Sequence, residues 1–205
     1  MKTAPSLWLL RHAQPLIDTG TCYGRLDIPA DALHTQQSAA AFAAVMPAHA
    51  ALRHSPLQRC TQLVQALMLT PAYPSACSSC TVDPRLQEMD FGTWEGCRWD
   101  AIAPAAIDAW AQQLADTAPG DGESLAHMLD RVREALLDSW LHDSRQGTRD
   151  VVWVTHAGVV RCVQWLLHQG RHTPTAADWQ LPAPAYGRWF SLPWATHTPA
   201  LQGLS

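Results

Sequence analysis

The 205-residue chain is poor in charge and almost without lysine: Lys and Arg together number fourteen, and Lys2 is the sole lysine. Charged residues make up 16% of the chain and the net charge is −4, which excludes the basic footprint expected of a nucleic-acid binder. Long apolar runs are missing as well. None approaches the ~18 residues of a membrane span. The stretch Leu7–Leu10 is too short for the apolar core of a secretory signal and ends in Arg11 and His12. A soluble cytoplasmic protein is expected by default. Paired cysteine motifs are also scarce. Of Cys22, Cys60, Cys77, Cys80, Cys97 and Cys162, only Cys77 and Cys80 form a C-x-x-C, with no second pair to complete a zinc site. Ordinary reduced thiols are expected.

Apolar residues are plentiful, at 47%, enough for a sizeable core in one domain over 1–205. Three segments share a pattern of short apolar strand, polar cluster, then helix. The strands are Leu7–Leu10, Ala50–Leu52 and Val151–Val154, ending at Arg11-His12, His54-Ser55 and Thr155-His156. Continuous apolar runs of this length suit strands buried on both faces. Asp31 reads as the cap of a helix reaching Met46 and stopped by Pro47. Ser55 and Pro56 read as the N-cap and first position of the next helix. A third helix after Gly158 stops at Gly170. Residues 97–146 hold two helical stretches with no strand between them, which reads as a helical insertion beside the sheet. Tyr186–Leu192 reads as an edge strand. The expected fold is an α/β three-layer sandwich with a mostly parallel central sheet. Ligands bind at the carboxyl ends of strands in such sheets, so Arg11-His12, Ser55 and Thr155-His156 would converge there.

That convergence sets His12 apart from the histidines that read as structural. Arg11 adjoins it, Arg59 lies in the first turn of the second helix, and His156 precedes the third. Two guanidiniums, two imidazoles and helix N-termini describe an anion site, with phosphate as its natural guest. A divalent metal beside two guanidiniums is electrostatically unfavourable, so no metal and no other cofactor is expected. Glu88, Asp90 and Glu95 are three candidate acids within eight residues. The residues alone do not rank them.

Five segments, in order, resemble the signatures of the histidine phosphatase superfamily, the phosphoglycerate mutase-like group. They are Leu9-Leu10-Arg11-His12-Ala13-Gln14-Pro15, Cys22–Pro29, Ser55–Cys60, Leu86–Gly96 and Thr155–Arg161. The resemblance implies His12 as nucleophile, Arg11, Arg59 and His156 as the phosphate pocket, and Glu88 as proton donor. Gln14, Tyr23, Gly24 and Ala157 would lie at its periphery. Ala13 and Ala157 stand where the family commonly has glycine. Asp18 stands where many relatives have a phosphate-contacting asparagine, and a carboxylate there should point away. The resemblance implies a phosphomonoester hydrolase working through phosphohistidine on a small-molecule phosphate ester. The Cys-Tyr-Gly-Arg-x-Asp-x-Pro segment and the short chain look most like the α-ribazole phosphatase branch of cobalamin assembly. A phosphatase or mutase of sugar or glycerate phosphates, and a protein phosphohistidine phosphatase, are the alternatives. A non-catalytic phosphate-binding module would need neither a nucleophile nor an acid.

Overall fold

The computed structural model describes residues 4–73 and 79–204. Cys77 lies outside them, so the Cys77–Cys80 motif is not described. Five strands, β1 (Ser6–Arg11), β2 (Ala51–His54), β3 (Ser79–Val82), β4 (Val151–Thr155) and β5 (Trp189–Pro193), form one sheet in the order β3-β2-β4-β1-β5. All neighbours pair in parallel except β5, which runs antiparallel to β1 along the edge. The carboxyl ends of β1, β2 and β4 therefore share one rim, 144 residues apart in sequence between Arg11 and Thr155 and paired in register there.

Alternation along the strands separates two apolar faces. Leu7, Leu9, Ala51, Val151 and Trp153 face a core completed by helices α4 (Leu125–Asp138), α5 (Ala157–Gln169) and α6 (Trp194–Leu204). Leu10, Leu52, Val152 and Val154 face the opposite core, completed by α1 (Ala32–Ala43) and α2 (Gln58–Met68). Full burial of each such Leu or Val contributes about 1.5–3 kcal/mol, which is what holds the three layers together. Between residues 97 and 146, α4 joins the first core through Leu125, Met128, Leu129 and Val132, while α3 (Pro104–Gln112) has no buried residue.

The caps differ from the sequence expectation at one helix. Asp31 does cap α1, accepting from the His34 amide at 2.7 Å, although regular helix ends at Ala43 and Met46 follows as a turn. Gly170, with φ 64°, ends α5 as expected. The helix expected to begin at Pro56 begins instead at Gln58. Its first amide is taken by Asp27 Oδ1, 2.7 Å away on another loop. The Ser55 hydroxyl accepts from the Leu57 amide at 3.3 Å, just before the helix, and also lies 2.9 Å from His156 Nε2. The start of α2 is thus an occupied terminus rather than an open anion site.

Candidate active site

His12 follows the last residue of β1 and is buried, with 2% of its surface exposed. Its Nδ1 is 2.7 Å from the Ala13 carbonyl, an acceptor only, so Nδ1 carries the proton and Nε2 keeps a lone pair. Burial first, then the charge of Arg59, and further that of Arg11, hold the ring's pKa well below the usual imidazole value, against the raising effect of the Ala13 bond. The result is a neutral imidazole among cations.

His156, wholly buried at the start of α5, has its ring centroid 5.0 Å from that of His12. Burial, then Arg59 and His12, lower its pKa well below the ordinary value too. Its Nε2 contacts the Ser55 hydroxyl, and its buried Nδ1 has no protein partner. The buried Nε atoms of Arg11 and Arg59 also lack one. Two guanidinium donors and one imidazole nitrogen are thus buried without a protein partner, at a cost of about 1–3 kcal/mol each.

The two arginines are fixed differently. Arg11 donates Nη1 to the Pro184 carbonyl at 3.1 Å and stacks on Tyr186, with Cζ 3.9 Å from the ring centroid. Arg59 is fully buried in the first turn of α2 and donates to the carbonyls of Leu26 (2.8 Å) and Gly24 (2.5 Å).

Glu88 sits opposite, on the irregular segment after a short helical turn at Pro84–Leu86. Its Oε2 accepts from the Gly158 amide at 3.0 Å, the first turn of α5, where the helix dipole favours a carboxylate. A Cβ at Gly158 would stand 2.2 Å from Glu88 Oε1, so any side chain there would displace the carboxylate. Thr155 donates its hydroxyl to Leu86 O, and Arg131 donates to the carbonyls of Arg85, Gln87 and Glu88. The rival acids are committed elsewhere. Glu95 accepts from the amides of Gly24, Arg25, Leu26 and Phe91 and so shapes the Tyr23 loop. Asp90 accepts from the Gly92 amide and pairs with Arg25.

A chamber of about 300 Å³ opens on this corner, lined by Arg11, His12, Tyr23, Glu88, Gly158 and Arg161, and walled by Met89, Phe91, Trp110, Leu114, Leu125, Met128 and Trp179. Of the residues expected from sequence, Arg11, His12, Tyr23 and Glu88 line it directly. Arg59 and His156 are both fully buried, His156 with its ring 5.0 Å from that of His12 and Arg59 near enough for its charge to lower the His12 pKa. The Gly24 carbonyl holds Arg59, and Ala157 opens α5. Gln14 and Asp18 are exposed and outside the chamber lining, with Gln14 bound through its backbone to Asp31 and His34. Neither Ala13 nor Ala157 has a positive φ, so neither alanine is strained. Sequence reasoning missed Tyr186, Ser55 as the partner of His156, Arg131, Arg161 and Trp179. Among the described residues no group of three or more His, Cys, Asp or Glu could hold a metal ion.

Residues 7–204 match the family described as Histidine phosphatase superfamily (branch 1). No curated protein matches the chain. Among solved structures, the chain is similar to mycobacterial glucosyl-3-phosphoglycerate phosphatase, at TM-score 0.74 and 27% identity over 92% of this chain and 90% of that one. That relative is also solved with inorganic phosphate (TM-score 0.72, 27% identity, 92% and 89% covered). A candidate alpha-ribazole-5′-P phosphatase from Escherichia coli K-12 aligns at TM-score 0.70 over 92% and 90%, and at 21% identity it speaks for the fold alone. On the match over nearly its whole length, the chain belongs to branch 1 of the histidine phosphatase superfamily.

Proposed function

We propose that this phosphatase-family chain is a metal-independent phosphomonoesterase that carries the phosphoryl group of a small metabolite on His12. The observation that carries the reading is the His12 ring, neutral and buried, with Nδ1 tied to Ala13 O and Nε2 left as the nucleophile. Nε2 attacks phosphorus, and the ester P–O bond breaks. The leaving oxygen takes a proton from Glu88, whose carboxylate the Gly158 amide aims. Charge building on the equatorial oxygens meets Arg11, Arg59 and His156. A water then attacks the phosphohistidine, the P–N bond breaks back onto Nε2, and Glu88 takes the water's proton.

The chamber walls argue for the leaving group. Phe91, Trp110, Leu125, Met128 and Trp179 suit a flat apolar moiety better than a polyhydroxyl one. That supports α-ribazole 5′-phosphate, in cobalamin biosynthesis, as the substrate. One observation favours a second reading, a phosphatase or mutase of sugar or glycerate phosphates. Arg161 lines the same chamber with no carboxylate partner among the described residues, and the 27% identical relative acts on glucosyl-3-phosphoglycerate.

The test is turnover of p-nitrophenyl phosphate with and without EDTA, followed by rapid quench and a panel of phosphomonoesters. Acid-labile, base-stable phosphate on His12 and unchanged rates in EDTA are expected. Full activity in His12→Ala would sink the nucleophile assignment.

A further inference from the structure

Two tyrosines meet above the arginines, and the reaction as described uses neither. The hydroxyls of Tyr23 and Tyr186 are 2.6 Å apart, joining residues 163 positions apart. The Tyr186 ring lies under Arg11 and its centroid is 5.5 Å from that of His12. The Tyr23 ring centroid is 5.7 Å from Arg59 Cζ. Each ring thus attends a different phosphate arginine. Both loops are held firmly. Gly187 donates its amide to His12 O at 2.9 Å, and Glu95 gathers the amides on the far side of Tyr23.

Two hydroxyls own two protons, and their mutual bond uses one. Among the described residues neither hydroxyl makes another hydrogen bond, so one O–H stays free to donate. Tyr23 lines the chamber with His12 and Arg11, whereas Tyr186 does not. The charges of both Arg11 and Arg59 reach the Tyr23 hydroxyl and act to lower its pKa, against the effect of burial. Burial, the largest cause, raises the Tyr23 phenol above its ordinary value, so the proton is retained at neutral pH.

We infer that Tyr23 is a further catalytic residue, donating its hydroxyl proton to a non-bridging oxygen of the transferring phosphoryl group while its own oxygen accepts from Tyr186. Tyr186 is then a positioning residue, acting through Tyr23 and by stacking on Arg11. A hydrogen-bond chain of this kind polarises its terminal donor and fixes its direction. The inference rests on the phosphatase reading above.

The experiment compares Tyr23→Phe, Tyr186→Phe and the double variant, using kcat on p-nitrophenyl phosphate and the inhibition constant of vanadate. A hydrogen bond to a charged group is worth about ten- to a hundredfold, so Tyr23→Phe should lower kcat and weaken vanadate by that factor. Tyr186→Phe keeps the ring on Arg11 and should cost less. The double variant should be no worse than Tyr23→Phe alone, because the two hydroxyls act in series. Thermal melting of each variant separates these losses from unfolding. Wild-type kcat and vanadate affinity in Tyr23→Phe would overturn the proposal and leave the phosphatase reading intact. Additive losses in the double variant would overturn the series arrangement. A wild-type protein that neither hydrolyses the ester nor binds vanadate would overturn both the proposal and the reading beneath it.

Discussion

The amide of Gly158 donates to the carboxylate of Glu88 across 70 residues, so the segment that presents His156 also aims Glu88. His12 and His156 are therefore placed by the ends of β1 and β4, Arg59 by the first turn of α2, and the Glu88 carboxylate by the first turn of α5.

That coupling predicts the behaviour of Gly158→Ala. The new Cβ would fall 2.2 Å from Glu88 Oε1, and the carboxylate must move. The variant should copy Glu88→Gln. Both should slow alkyl phosphates by ~10²-fold or more while slowing p-nitrophenyl phosphate much less, because that leaving group needs little protonation. Equal losses on both ester types in Glu88→Gln would mean that Glu88 positions phosphate. A selective loss in Asp90→Asn or Glu95→Gln would move the acid to another residue.

The depressed values of His12 and His156 carry a pH prediction. The unfolded imidazoles take protons near pH 6.5, whereas the folded ones resist until well below it. Unfolding therefore binds protons in the window below about pH 6.5, and stability falls as pH drops through it toward the folded values. It is constant with respect to these groups above it. Each group contributes a slope of up to about 1.4 kcal/mol per pH unit within the window. Urea unfolding from pH 7.5 to 5 should show the decline, and His156→Asn should make it shallower. Ring ¹⁵N shifts should report His12 as the neutral Nδ1–H tautomer at pH 6. A charged imidazolium there would contradict the nucleophile's state.

The strand-end motifs, the Asp31 cap, the Gly170 stop and the presence of an edge strand were legible because each rests on local spacing or on one residue's backbone preference. What was not legible comes from contacts between irregular segments. Asp27 takes the Gln58 amide of α2 from another loop, while Ser55 reaches only the Leu57 amide before the helix, a division that local spacing does not reveal. Tyr186 reads in the sequence as the start of the edge strand, but β5 begins only at Trp189, and the fold-back of Tyr186 onto Arg11 reveals its place. Glu88 could not be ranked above Glu95 on residue type, because the difference lies in partners. Glu95 spends its carboxylate on four loop amides, whereas Glu88 meets the α5 terminus beside the chamber.

The apolar walls predict how the leaving group is read. Trp110 and Trp179 line the chamber away from the strand-end cluster, so trimming them should leave phosphate chemistry in place. Trp179→Ala should raise KM for an ester with a flat aromatic base by roughly tenfold, consistent with about 1–3 kcal/mol per base–aromatic stack. It should barely change KM for a small alkyl phosphate. Arg161→Gln gives the complementary test, with a selective loss on esters bearing a second acidic group. A uniform loss on every ester in both variants would show that these residues support the fold rather than the choice of substrate.

Arg59 offers the sharpest contrast between charge and shape. Its guanidinium is fully buried and serves two carbonyls, Leu26 O and Gly24 O, on the loop that carries Tyr23. It also lowers the pKa of His12 more than Arg11 does. Lysine keeps the charge but offers a compact ammonium in place of a planar fork. In Arg59→Lys the ammonium cannot reach both carbonyls and a phosphoryl oxygen with the same geometry, so at least one buried acceptor loses its partner at about 1–3 kcal/mol. A lowered melting temperature is therefore expected. Activity should fall further than stability explains, by about 10²-fold or more in kcat, as for loss of a fixed donor at a developing oxyanion. Vanadate affinity should fall in parallel. Assays well below the new melting temperature keep the two effects separate. Retained kcat with reduced stability would assign Arg59 to holding the Tyr23 loop and would leave Arg11 and His156 to meet the phosphoryl charge.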